Sequence, residues 1–328
     1  MKKVLLIMLV LFLHLEMESK AKVVETNHPY SYDVLKKDIA KINQRYKNVD
    51  VLGIGRSHFG REIYAIKLGE GKHSIVLIGA HHGREWMTSM LLMKKLEEYA
   101  EAYQNQTDFG TYSTCILNDV AIWFIPMLNP DGVTIQQNTL DKFPKNHQKH
   151  LLAMNEGVKN FDRWKANGQG VDLNRQYPAG WKNLNSQPKF PSYQFYKGRK
   201  PLEAKEVKVL TKFIREINPV IAVAYHSSGE EVFWNYHNGK HLQRDKRIAK
   251  KVSKLTGYKL GKPPKQATGG GFTDWFITRY HLPAMTIEIS PLVGETSPPL
   301  SVFETEWERN KFVGLTLAKE AMRLKKRK

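Results

Sequence analysis

The sequence predicts an α/β fold: a single domain in which a mixed central β-sheet is flanked by helices on both faces. Short apolar, β-branched runs recur along the chain with helix-periodic stretches between them, the pattern of strands covered on both sides by helices. The 328 residues carry no internal repeat and no low-complexity linker that would divide them. A single cysteine, Cys115, rules out an intramolecular disulfide, so the core must come from apolar burial, which about 300 residues can supply.

Taken in order, residues 32–46 read as a first helix, with Val34, Leu35, Ile39 and Ile42 at helical spacing. Strands follow at 49–55, 62–68 and 74–80, the last a continuous apolar run of the kind buried on both faces. Residues 87–99 return to helical periodicity, and 120–127 form another strand. From about 130 to 201 there is little periodicity, and loops of that length are usually functional, here as the walls of a cleft. A helix at 202–217, a strand ending at His226 and broken by Ser227-Ser228-Gly229, a strand at 284–291 and a final helix at 304–324 complete the chain.

Met1-Lys2-Lys3, the apolar run from Val4 to Leu13, and Ser19-Lys20-Ala21 predict a signal peptide over 1–21, leaving 22–328 as the single folded domain. The apolar run is short for a membrane span, and an uncleaved anchor is the alternative. No large inhibitory prosegment fits between Ala21 and Tyr30. With no disulfide, the reading is a secreted or cell-wall-associated bacterial protein. A formal net charge of +19 implies attraction to polyanions. No nucleic-acid motif is present, so an anionic wall polymer or membrane surface is the expected partner. The tail Arg323 to Lys328 reads as the frayed end of the last helix, and Cys115 as a small core or loop residue.

Chemistry concentrates at strand ends. His82 and Glu85 lie in Ala80-His81-His82-Gly83-Arg84-Glu85-Trp86, where an apolar strand gives way to a helix and a tight connection can fold both side chains toward one point. Taken alone, the pair suits a solvated ion pair or a cap as well as a metal. Of the twelve histidines only His82 has a Glu three places ahead, whereas His81 should face the opposite way, toward the core. His226 ends a second strand, and Glu288 stands between isoleucines in a third. A carboxylate so placed is costly to ionise without compensation; it is either half of a buried salt bridge or a base beside an activated water.

These residues belong to six motifs in one order: His82 to Trp86, Asn129-Pro-Asp-Gly132, Gly170-Val-Asp-Leu-Asn-Arg175, His226-Ser227, Gly269-Gly-Gly-Phe-Thr-Asp-Trp275 and Thr286-Ile-Glu288. In this the chain resembles the carboxypeptidase A superfamily of zinc peptidases from about Tyr30 to the end. The resemblance implies a zinc carboxypeptidase-like fold, one Zn2+ held by His82, Glu85 and His226, and Glu288 as general base and acid. It further implies that Arg84 polarises the scissile carbonyl or holds the substrate backbone, that Asn174 and Arg175 grip a substrate carboxylate, and that Asp172 orients a ligand histidine.

Two departures bear on substrate. Where the family carries an oxyanion-stabilising Arg after Trp, this chain has Trp164-Lys165, which keeps the charge and loses the fork, with Arg163 as a possible stand-in. The place of the mobile Tyr that closes over a C-terminus falls on Gln266, and the pocket-floor position on Thr273, neither strongly acidic nor large and apolar. Some bacterial relatives with a similar Trp-Lys-Ala-Asn and Gly-Val-Asp-Leu-Asn-Arg pattern cleave γ-D-glutamyl-diaminopimelate bonds of cell-wall peptides. The expected function is therefore zinc-dependent hydrolysis of an amide bond near a substrate carboxylate, with that bond as the candidate. Removal of ordinary C-terminal residues, or an inactive wall-binding protein that keeps the fold, are the alternatives.

Overall fold

The computed structural model describes residues 21–263 and 268–325. Residues 1–20 of the expected signal peptide, Gln266, and Lys326 to Lys328 of the tail lie outside the described residues.

The chain opens with α1 (Tyr32–Arg45), capped by the Ser31 hydroxyl accepting from the Val34 N–H, and the hairpin strands β1 (Val49–Arg56) and β2 (Glu62–Leu68). Then come β3 (His73–Ile78), α2 (Met87–Gln104), the short strands β4 (Asp108–Phe109) and β5 (Tyr112–Ser113), and β6 (Val120–Ile125). The middle holds α3 (Pro130–Gln136), α4 (Lys145–Met154), α5 (Lys205–Ile217), β7 (Ile221–Ser227), β8 (Glu231–Phe233), α6 (Leu242–Thr256) and β9 (Lys259–Leu260). The chain ends with α7 (Phe272–Tyr280), β10 (Ala284–Ile289), α8 (Phe303–Asn310) and α9 (Val313–Lys325).

Eight strands form one mixed sheet in the order β1-β2-β6-β3-β7-β10-β8-β9, in which β6, β3, β7 and β10 run parallel. Strands β4 and β5 pair separately. Alternate residues of the central strands enter different cores, because successive side chains of a strand point to opposite faces. Ile75 and Leu77 of β3 pack with Met90 of α2 and Leu317 of α9, while Val76 and Ile78 pack with Leu210 of α5 and Phe276 of α7. The expected sheet with helices on both faces is thus present.

The structure departs from the expected elements in several places: β4, β5, β8, α6, β9 and α7 have no counterpart in the sequence expectation. The final helix is two, α8 and α9. At the break the Tyr99 hydroxyl donates to the Lys311 carbonyl, an interaction from another helix that no local periodicity reveals. The stretch 130–201 is not all loop. It contains α3, seven residues long and too short to show a period, and α4, whose only buried residue is Leu151. Cys115 lies exposed in a 3-10 turn, so the loop reading holds and the core one does not.

Candidate metal centre and active-site cleft

Strands β3, β7 and β10 are adjacent and parallel, so their carboxyl ends open on one place, where ligands collect in open α/β sheets. His226 and Glu288 sit directly opposite each other in the β7/β10 register. His82 and Glu85 arrive from the β3 end through a connection that several backbone features hold. Ala80 takes a positive φ of 43°, its N–H donating to the Thr88 hydroxyl at 2.8 Å. A Cβ at Gly83 would lie 2.4 Å from the Gly132 carbonyl, so only glycine lets this turn pack against α3. The Asn129 amide nitrogen donates to the carbonyls of His81 and Ala166, both at 3.1 Å, while its oxygen accepts the Gly132 N–H. One side chain thereby ties the His82 turn, the start of α3 and the Lys165 segment together, which is the physical content of Asn129-Pro-Asp-Gly132.

The three expected ligands converge. His82 Nδ1 lies 2.8 Å from Glu85 Oε1, His226 Nδ1 2.8 Å from Glu85 Oε2, and the two Nδ1 atoms are 3.1 Å apart. Tetrahedral zinc with its usual bond lengths sets two ligand nitrogens roughly 3.3 Å apart, so this spacing suits the ion. All three side chains are buried, and their ligand atoms lie within 4.8 Å of one another. The second nitrogen of His82 meets Asp172 Oδ1 at 3.0 Å, the outer partner that fixes a ligand imidazole. His81 turns away from this cluster: its Nε2 lies 3.1 Å from the Tyr177 hydroxyl and its ring stacks on His226.

Electrostatics follows from burial and charge. Burial works against the Glu85 carboxylate, but His82, His226 and Lys165 outweigh it and hold its pKa well below the usual range. Asp172 is also buried, and Arg175, His82 and Lys165 likewise keep it ionised. Burial lowers the pKa of His226 against the opposing pull of Glu85, which favours the neutral form that binds metal. At Glu288, burial and the neighbouring Glu85 charge push the pKa up to about 8 against the opposing pull of Lys165, so the group exchanges a proton near neutrality.

A cleft of about 360 Å³ opens beside this cluster, and Arg84, Glu85, Lys165, Asn174, Thr273 and Glu288 all line it. Lys165 Nζ stands 3.7 Å from Glu85 Oε1 and over the Phe195 ring. Arg84 is braced by the Arg163 carbonyl at 3.0 Å and Gln194 Oε1 at 3.2 Å. Arg163 itself is engaged with Asn155, Glu156 and the Tyr193 ring and is not in the cleft lining, which leaves Lys165 as the cation after Trp164 that faces it. Asn174 Oδ1 accepts the Phe272 N–H at 3.0 Å. Thr273 shares a 2.8 Å hydrogen bond with Thr286. Arg175 follows Asn174 but is not itself among the side chains lining this cleft: its Nη1 lies 3.4 Å from Asp172 Oδ2 and its guanidinium covers the Phe195 ring.

Two carboxylates of the cleft escaped sequence reasoning. Glu231 of β8 faces Glu288 in the β8/β10 register, and Asp274, which accepts the Gly269 N–H at 2.8 Å, is pushed by burial up to about 7. Only strand pairing brings Glu231 to the site. Asp274 was visible as part of a motif, yet nothing in the sequence marks which way it faces.

Residues 35–312 match the family described as zinc carboxypeptidase. Among curated relatives, Gamma-D-glutamyl-L-diamino acid endopeptidase 1 of Lysinibacillus sphaericus is 30% identical over 292 residues, covering 88% of this chain and 72% of the relative. Metallocarboxypeptidase A of Trichophyton rubrum is 31% identical over 185 residues, 54% of this chain and 40% of that protein. Among solved structures, thrombin activatable fibrinolysis inhibitor superposes with a TM-score of 0.73 at 16% identity, covering 93% of this chain and 78% of that one. Carboxypeptidase A from Helicoverpa armigera does so with 0.69 at 18%, covering 94% and 78%; at these identities the likeness speaks for the fold alone. With the family match spanning most of the chain and a relative aligned along 88% of it, the chain belongs to the zinc carboxypeptidase family and is a zinc metallopeptidase.

Proposed function

We propose that this peptidase cleaves the amide bond between a γ-D-glutamyl residue and a diamino acid in cell-wall peptides, with one zinc ion held by His82, Glu85 and His226. The observation that carries this reading is the double sign of the cleft: Arg84 and Lys165 line it together with Glu231 and Asp274. A diamino acid bears an extra ammonium besides its carboxylate, so both signs of charge find a partner. The similarity to the Lysinibacillus sphaericus enzyme supports the same choice.

When bound, zinc supplies Lewis-acid polarisation of a carbonyl and a lowered pKa for water. Glu288 takes the proton of the attacking water and returns it to the leaving amine, work suited to a carboxyl that titrates near neutrality. Lys165 and Arg84 place positive charge where the carbonyl oxygen becomes negative. Asn174 meets the substrate carboxylate from the cleft wall, with Arg175 beside it. Asp172 keeps the imidazole of His82 in one tautomer, and Arg175 is the counterion of Asp172.

Export through residues 1–21, with removal of that segment, supports access to such a substrate and is part of the proposal. The deciding experiment incubates the purified zinc enzyme with a γ-D-glutamyl-diaminopimelate peptide and with ordinary peptides bearing free C-termini, with amine release read by mass spectrometry. Cleavage of the first at a kcat/KM at least tenfold above the second is expected. The reverse preference would return the chain to the metallocarboxypeptidases, and no chelator-sensitive cleavage of either would favour an inactive binding protein.

A further inference from the structure

Helix α6 carries six cations in fifteen residues and buries only its other side, through Ile248, Ala249 and Val252. Lys246, Lys250 and Lys254 are exposed and fall at i, i+4 and i+8, so they follow one another about every 6 Å along one stripe. Neither they nor Lys319 of α9 have an ion pair among the described residues. Beside the stripe, Arg247, Lys251 and Arg323 converge on one buried carboxylate, Glu320. Two hollows, of about 390 and 530 Å³, share Lys251 and Lys254 and so make a continuous groove along α6 and across to α9. None of the residues lining the catalytic cleft lies on either helix. Holding this many like charges together costs free energy that an anionic ligand would recover.

We propose that the α6/α9 groove binds a linear polyol-phosphate polymer. A concave, elongated groove fits a chain of anionic groups better than a flat bilayer, and its lining offers a single aliphatic side chain, Leu255, which is half-buried against the core; Ile248, Ala249 and Val252 point inward. Bases would need an aromatic platform. The one ring that lines the groove, Tyr112, is stacked on Phe312, with its hydroxyl accepting from Thr316. Phosphates alone therefore match what the groove presents. The proposal does not depend on the substrate assigned to the cleft.

The test titrates fluorescently labelled poly(glycerol phosphate) with the full chain and follows anisotropy across a salt series. The triple variant Lys246→Gln, Lys250→Gln, Lys254→Gln should weaken binding at least tenfold and reduce the slope of log affinity against log salt by about 2–3, as about 0.7–0.9 is lost per contact. Its zinc content and its rate on a small soluble peptide should be unchanged. A control triple at exposed lysines of another surface, Lys37→Gln, Lys41→Gln and Lys47→Gln, removes the same charge and should leave affinity within about twofold. Equal losses in both triples would reduce the effect to diffuse net charge and overturn the groove. Absence of polymer binding, or tighter binding to phosphatidylglycerol vesicles or to a single-stranded oligonucleotide, would overturn the choice of partner.

Discussion

Glu288 and His226 face each other across one strand pairing, yet substitution should separate their effects. Glu288→Gln keeps the shape and loses the base: kcat should fall by about 10²–10⁴, with one zinc per chain retained by elemental analysis. Full activity would remove Glu288 from the reaction. His226→Ala opens the ligand set instead, and zinc should be lost on dialysis; undiminished metal would strike it from the site. Lys165→Ala should lower kcat/KM by about 10²–10³, with the loss mainly in kcat, and Lys165→Arg should recover part of it, since the charge matters more than the fork at this depth. An unchanged kcat in the alanine variant would pass the oxyanion role to Arg84. His82, Glu85, His226 and Glu288 were legible because each stands at or beside an apolar strand and belongs to one of six motifs in the family's order; strand position alone left an ion pair or a cap open. Arg175 was less so. Its residue type suits a carboxylate, but the sequence does not say that the nearest carboxylate is Asp172, which burial obliges the fold to neutralise.

At the scale of elements, α2 and β7 meet through Lys95, fully buried, whose ammonium donates to the Tyr225 hydroxyl at 2.8 Å and has no carboxylate partner among the described residues. Burial pulls its pKa down to about 7 from the ordinary 10.5. Between those two values the unfolded chain holds the proton and the folded chain does not, so this lysine makes stability rise with pH from about 7 to 10.5, and below 7 the whole cost of burying the charge remains. Lys95→Met should raise the unfolding free energy at pH 7 by about 1–3 kcal/mol, a gain trimmed by the lost Tyr225 bond, and the gain should shrink toward pH 10. Denaturant unfolding of both proteins across that range checks it; a difference independent of pH would mean that Lys95 keeps its proton in the fold and that burial does not lower its pKa. Legibility at this scale tracked burial. Strands β3, β6, β7 and β10, apolar on both faces, announced themselves, as did α1 and α5 with one apolar stripe. Strands β8 and β9 are three and two residues long and exist only because β10 offers an edge to pair with.

For the molecule as a whole, the metal centre joins the end of β7 to the turn after β3, two neighbouring strands at the middle of the sheet, so ligand binding there should brace the fold. Saturating zinc at about 100 times its dissociation constant adds about 2.7 kcal/mol to the folded state. For a chain of this size that is on the order of 5 °C in Tm. Calorimetry of the chelator-treated protein with and without zinc measures this, and a Tm indifferent to zinc would mean that the ion does not bind the folded state at His82, Glu85 and His226. By itself the sequence determined the α/β class and where the main strands lie along the chain, because apolar periodicity is a local property, while the expected metal ligands and base rested on six motifs in the family's order. Only the tertiary structure decided that Glu231 and Asp274 face the same cleft as Lys165, that Arg175 serves Asp172, and that α6 and α9 lay their cations along one groove. Those relations join residues far apart in the chain, and the strand order and helix packing that set them are not written in any single segment.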